Sequence, residues 1–217
     1  MSPHLLALDT TSEYGSIALA EGAELIEEAA VHSPDGFAHV LFDEIQNLLA
    51  RHRLNLRDLD GFASASGPGS FTGVRVGLTA VKGLAEACGR RVVAVSNLEA
   101  LAWFGTRPLR APVLDARRGE IYGAVYDSDL RRVCQEVVVP FNHWITNLPT
   151  GDLEIVTNGF EVPSPAGFPV VLAPRSLARA IASIAAARFA LGRANDPAEI
   201  DANYVRRSDA ELLWPGG

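Results

Sequence analysis

Apolar and polar positions alternate along the chain in short strand-like runs broken by longer helical stripes, and their order is the first guide to the fold. Residues 4–10, 14–20 and 23–31 are rich in Leu, Ile, Val and Ala, and the turn stretches "SEYG" and "EG" separate them. That pattern predicts three consecutive strands in an antiparallel meander. In "DGFAHVLFDEIQNLLARHR", residues 35–53, Phe37, Leu41, Ile45, Leu48 and His52 fall three and four apart, which predicts an amphipathic helix. A strand over 61–67, a helix over 72–88, the strand "RVVAVS" and the helix "NLEALAWFG" complete the first half.

After the turn-rich "TRPLRAP" the order begins again. "VLDA", "EIYGAVYD" and "RVCQEVVV" read as strands, a short helix follows near 141–147, "LEIVTN" as another strand, and a long helix over 177–191 comes after a Pro-rich link. The halves align locally, "LALDTTSEYGSIALA" against "PVLDARRGEIYGAVY", so that Asp9 and Asp115 each close a first strand and Gly15 and Gly123 fall in or near a second. The expectation is an α/β protein of two βββαβα lobes, 1–105 and a smaller, degenerate 106–217, whose last helix packs back on the first lobe.

Composition narrows the partners. With 217 residues, 48% of them hydrophobic, the chain can fill sizeable cores. Its formal net charge of −7 argues against broad, unaided contact with nucleic-acid phosphates, so any RNA is expected to be held by a partner. Cys88 and Cys134 form no C-x-x-C and have no His at ligand spacing, which predicts neither a zinc site nor a disulfide framework. The opening "MSPHLLALDT" lacks a basic stretch and its apolar run ends at Asp9, reading as a first strand. "AIASIAAARFAL" is bounded by Arg179 and broken by Arg188, short of the about 20 residues that a membrane span needs. The expected location is cytoplasmic, away from membranes.

The richest local signal is "SASGPGSFTGVRVGLTAVKG", residues 64–83. Glycines before a helix suit phosphate binding, but neither phosphate template fits. Five residues past Gly67 and Gly69 stand Thr72 and Val74, where a Walker A loop needs Gly-Lys, and the third glycine of a dinucleotide loop would be residue 72 where the chain has Gly73. The alternative is a strand-to-helix turn bent by Pro68 and Gly69 and capped by Ser70 or Thr72. As a helix, residues 72–88 present Val74, Leu78, Val81, Ala85 and Cys88 to a sheet. A second face carries Gly73, Gly77, Ala80 and Leu84, small enough for another helix to come close, whether from the same lobe or from a partner. Arg75, Thr79, Lys82 and Glu86 edge that face. On the earlier helix Ala38, Phe42 and Leu49, with His39 nearby, widen the apolar arc beyond what one sheet contact needs. No G-x-S-x-G elbow surrounds Ser66 or Ser70, so a serine hydrolase is not indicated.

The blocks "LALDTTSEYGSIALAEG", "GFASASGPGSFTGVRVGLTAVKGLAEA", "VSNLEALA", "LDARRGEIYGAVYD" and "ANYVRR" resemble the bacterial TsaB (YeaZ) family, most specifically in "GPGSFTGVRVGL". They cover the first half densely and the second thinly. The resemblance implies the actin-like ATPase fold, built of ribonuclease-H-like sheets. It also implies an accessory, non-catalytic role in making threonylcarbamoyladenosine at position 37 of tRNA. The partners it implies are a TsaD-type threonylcarbamoyltransferase subunit and a TsaE-type P-loop ATPase, with tRNA reached only through the complex and a homodimer formed when the chain is alone. Catalytic relatives carry a His-x-x-x-His metal pair; here no two of His4, His32, His39, His52 and His143 are four apart. No catalytic residue, metal or cofactor is therefore expected, ATP or ADP entering only with the complex.

The family's partner-binding helices fall here on Phe37, Ala38, His39, Phe42, Ile45 and Leu49, and on Ser70, Phe71, Thr72, Gly73, Arg75, Val76, Gly77, Ala80 and Leu84. The relatives' "HSE" run is broken at His39, which Val40 follows. In actin-like ATPases the first hairpin holds phosphate, which makes Asp9, Thr10, Thr11 and Asp115 the nucleotide candidates. Glu13 sets a like charge beside such a phosphate, and a turn in which Asp9 bonds loop amides explains the same residues. The runner-up function is an autonomous ATP-dependent phosphotransferase of this fold.

Overall fold

Each of the two predicted meanders grows into a five-stranded sheet. The first half folds as β1 (His4–Asp9), β2 (Tyr14–Glu21), β3 (Glu24–His32), α1 (Leu41–Arg51), β4 (Gly61–Ala65), α2 (Phe71–Cys88), β5 (Arg91–Val95) and α3 (Asn97–Ala102). Then come β6 (Leu109–Arg117), β7 (Glu120–Asp127), β8 (Arg132–Pro140), α4 (Phe141–Ile145), β9 (Leu153–Thr157), β10 (Val170–Leu172) and α5 (Ala178–Ala190). This computed structural model describes residues 2–163 and 167–205, so Arg206 and Arg207 of the "ANYVRR" block lie outside the described residues. The chain divides into two units, Met1–Ala100 with Pro174–Ala202, and Leu101–Ala173 with Asn203–Gly217.

The sheets share one plan. The first runs β3-β2-β1-β4-β5; the second, read from its other edge, runs β8-β7-β6-β9-β10. In each, three antiparallel strands are extended by strands parallel to the first: β1 pairs with β4 from Leu5↔Gly61, and β6 with β9 from Leu109↔Leu153. Gly15 of β2 and Gly123 of β7 serve the same end in both. A side chain at Gly15 would enter the Phe37 ring, and one at Gly123 would stand 2.6 Å from Trp144. Each second strand thus leaves room for an aromatic that closes one face of its sheet.

In the first unit α1 and α2 cover one face. Leu6, Leu8, Ile17 and Leu19 meet Leu41, Ile45 and Leu48 of α1 and Val74, Leu78, Val81 and Ala85 of α2 in one core, as the three- and four-residue spacings require. α5 covers the other face. It belongs to this unit, where it packs on β1, β2 and β4: Ala178 N–H donates to Ser16 Oγ at 3.0 Å, and the Phe189 ring fills the space beside Gly61. Its alanines are buried on several sides, which lets the helix lie close to the sheet.

Some predicted boundaries move. The helix expected from residue 35 begins at Leu41, because Gly36 has φ +87° and residues 33–40 form turns closed by Ser33 Oγ–H to Gly36 O and Val40 N–H to Phe37 O. The helix expected to reach residue 105 ends at Ala102, the chain turning through Phe104 N–H to Leu101 O. β10 was not anticipated. Three residues between Pro169 and Pro174 carry too little pattern to register as a strand, and it forms because β9 offers it a parallel edge.

Candidate functional site

Two features of the first unit bear on function: an open groove between α1 and α2, and the loop cluster behind the N-terminus of α2. The groove has a volume of 710 Å³. Ala38, Leu41 and Phe42 form one wall; Phe71, Thr72, Arg75, Val76 and Thr79 form the other, with Ala80, Gly83 and Leu84 lining it further along α2. Phe42 is 57% exposed and Phe71 45%, a large apolar surface to leave in water. The Arg75 guanidinium lies over the Phe71 ring, 3.7 Å from its centroid, so the wall is a cation–π pair as well as an apolar one.

The predicted partner-binding residues divide. Ala38, Phe42, Phe71, Thr72, Arg75, Val76, Ala80 and Leu84 line the groove, and Leu41, Thr79 and Gly83 join them, although helical spacing puts Leu41 on the core stripe and Thr79 on the polar edge. Phe37, Ile45 and Leu49 instead belong to the unit's own core, 2–3% exposed. His39 is exposed and stands outside the groove. Ser70 is the cap of α2, its Oγ accepting Gly73 N–H at 3.3 Å.

Gly73 and Gly77 correct the expectation that α2's small residues admit a second helix. Both are buried against the chain's own strands. A side chain at Gly73 would collide with the Thr10 carbonyl, and one at Gly77 would come within 2.6 Å of Thr10 Oγ1 and 2.8 Å of Ser64 Oγ. Gly73 and Gly77 let α2 lie on the β1–β2 hairpin and β4, while Ala80 and Leu84 of the same face line the groove.

That contact answers the question posed by the glycine-rich stretch. The hairpin where an actin-like ATPase holds phosphate is filled by the segment 67–73. Ser70 N–H donates to Thr11 O at 2.7 Å and Thr10 Oγ1–H to Gly73 O at 2.7 Å. Asp9, Thr10 and Thr11 are 2%, 2% and 6% exposed. Asp9 Oδ1 accepts Thr11 N–H at 3.0 Å and Thr11 Oγ1–H at 2.6 Å, the turn arrangement considered beside the phosphate reading. Burial raises the Asp9 carboxyl above its ordinary pKa, against the hydrogen bonds from Thr11 and Asn97 that lower it.

Asp115 repeats the motif in the second unit, its Oδ1 accepting Arg117 N–H at 2.8 Å and its Oδ2 lying 3.4 Å from Arg117 Nη1. Unlike Asp9 it is exposed. Asn97 was missed as a site residue. It donates through Nδ2 to Thr11 Oγ1 at 2.6 Å and accepts Gly67 N–H on Oδ1 at 2.9 Å. Its only signal in the sequence is that of a cap-type residue between a strand and the "LEALA" helix.

Two sheets of one order, each first strand ending near an aspartate that bonds the amide two residues on, define a protein of the actin-like ATPase fold. The family model described as "TsaD: tRNA N6-adenosine threonylcarbamoyltransferase" matches residues 34–209. The chain is 32% identical over 162 residues to the tRNA threonylcarbamoyladenosine biosynthesis protein TsaB of Bacillus subtilis, covering 72% of this chain and 71% of that protein. With the protein of the same name from Haemophilus influenzae it shares 40% identity over 124 residues, 54% of this chain and 51% of the relative, so that match spans about half of the relative's length. The solved structure of YeaZ from Pseudomonas aeruginosa superposes with a TM-score of 0.80 at 28% identity, over 94% of this chain and all of that one (100%). Within the family that the matching model describes, this chain belongs to the TsaB (YeaZ) proteins.

Proposed function

We propose that the chain is a non-catalytic subunit of the machinery that forms threonylcarbamoyladenosine in tRNA, and that it works by docking the threonylcarbamoyltransferase subunit in the groove between α1 and α2. The observation that carries this reading is the groove itself, an apolar trough with Phe42 57% and Phe71 45% exposed. Two helices separated by such a trough fit the apolar face of a partner's helix pair. Family membership supplies the pathway. The filled β1–β2 hairpin supports a non-catalytic role and weighs against the alternative, an autonomous phosphotransferase, because a phosphate there would have to displace the 67–73 backbone. On this reading ATP or ADP, the P-loop ATPase and tRNA engage the complex, and this chain contributes the docking face.

Phe42→Asp tests it. A charge in a desolvated helix seam leaves an unpaired carboxylate there, so the variant should lose co-purification with the transferase subunit and fail to support threonylcarbamoyladenosine formation in reconstitution, with unfolding in urea unchanged. Normal binding and activity by Phe42→Asp would overturn the groove as the docking face.

A further inference from the structure

Behind the wall that α2 gives to the groove runs a line of buried polar side chains. Asn97 Nδ2–H donates to Thr11 Oγ1 at 2.6 Å, and Thr11 Oγ1–H donates on to Asp9 Oδ1 at 2.6 Å. Asn97 also grips the start of the glycine-rich segment from both sides: its Oδ1 accepts Gly67 N–H, and its own N–H donates to Gly67 O, each at 2.9 Å. The far end of the segment is held by the neighbouring hairpin residues, Thr11 O accepting from Ser70 N–H and Thr10 Oγ1–H donating to Gly73 O, both at 2.7 Å. Phe71 and Thr72, on the exposed side of that same turn, line the groove.

Such a cluster is not needed to fill space. Asp9 and Asn97 are each 2% exposed and Thr11 6%, and burying polar groups is unfavourable unless all are satisfied, where an apolar filler would pack without that demand. What hydrogen bonds add is direction. Each tolerates only a narrow range of distance and angle, so a connected set fixes a loop in one place. We infer that Asn97, acting through Thr11 and Asp9, is a positioning residue for the docking groove: it sets the place of the 67–73 turn and so of the Phe71 wall. The hairpin that serves phosphate in actin-like ATPases is here a buried clamp for an interaction surface. The inference rests on the groove reading above.

The experiment compares Thr11→Val, Thr11→Ser and Phe42→Asp in the full chain, titrated with the cognate transferase subunit and followed by hydrogen exchange. Thr11→Val keeps the shape and removes the hydroxyl that accepts from Asn97 and donates to Asp9; Thr11→Ser keeps the hydroxyl. Thr11→Val should weaken binding about tenfold or more, as loss of a buried hydrogen-bond relay does, while Thr11→Ser stays within about threefold of the parent. Amide protection should fall over residues 70–76 and persist over 81–88, an asymmetry that general destabilisation does not produce. If Thr11→Val does not fold, Asn97→Asp replaces it, since its carboxylate still accepts from Gly67 N–H but no longer donates to Thr11, and the same loss is expected. Parent-like binding by the relay variant while Phe42→Asp abolishes binding overturns the inference alone, as does protection lost evenly along α2. Normal binding by Phe42→Asp overturns the groove reading and the inference with it.

Discussion

Two glycines on α2 separate what a helix needs from what its surroundings need. Both Gly77 and Gly83 lie inside the helix, where glycine costs about 1 kcal/mol relative to alanine. The structure explains the first only as a contact within the unit, because a side chain there would press on Thr10 Oγ1 and Ser64 Oγ, and Thr10 Oγ1 is already committed to Gly73 O. Gly77→Ala should therefore lose about 1–3 kcal/mol in urea unfolding through overpacking. At Gly83 nothing stands within 4 Å and the position lines the groove. Gly83→Ala should gain several tenths to about 1 kcal/mol of stability. If both variants changed stability in the same direction, the two glycines would not differ in surroundings as described. From the sequence these residues look alike, since spacing places a residue on a helix face and says nothing of what that face meets.

At the scale of elements, α5 shows how one charged residue locks a helix of small side chains. Arg188 breaks the apolar run of the sequence, and in the fold its Nη2 donates to both Glu99 oxygens at 2.6 and 2.7 Å while Nη1 donates to Ala94 O at 2.9 Å. The side chain of Glu99 is only 11% exposed and that of Arg188 31%. Arg188→Met removes both of these charge-assisted hydrogen bonds from a largely buried carboxylate, and should destabilise the protein by about 2–3 kcal/mol in urea unfolding. Adding Glu99→Gln should recover at least half of the loss. A single-variant effect under about 0.5 kcal/mol would place the pair among surface ion pairs, which contribute little. A contrasting case closes α1, where Arg51 and His52 both meet Glu27 of β3 at 2.6 Å. There the Arg51 hydrogen bond, followed by that of His52, holds the Glu27 carboxyl below its usual pKa at a partly exposed site where water screens the charges.

On the scale of the whole molecule the groove has a consequence for association. An apolar surface with two exposed phenylalanines tends to find a copy of itself when its partner is missing, and a two-fold pairing is the commonest way to close such a contact. The pure protein should sediment as a dimer at micromolar concentration, and Phe42→Asp should be monomeric. A parent protein that stays monomeric would overturn this expectation. The duplication seen in "LALDTTSEYGSIALA" and "PVLDARRGEIYGAVY" extends to sheet order, to the glycine that admits Phe37 or Trp144, and to the aspartate that bonds the amide two residues on.

The class, the strands of both meanders and the core stripes of α1 and α2 were legible in the sequence. They follow from alternation and three- and four-residue spacing, which each local segment carries in full. One wall of the groove was legible in part, Ala38 and Phe42 falling in an apolar arc wider than one sheet could cover, whereas Leu49 of that arc belongs to the core. What only the tertiary structure decided were contacts between residues far apart along the chain. Among these are Gly73 and Gly77 against Thr10 and Ser64, the bonds of Asn97 to Thr11 and Gly67, and β10 on the edge of β9. A buried glycine and an open one have the same local pattern, and a polar residue after a strand reads as a cap until the loop that it holds folds beside it. Burial and hydrogen-bond partners belong to pairs of segments, and no single segment of the sequence encodes them.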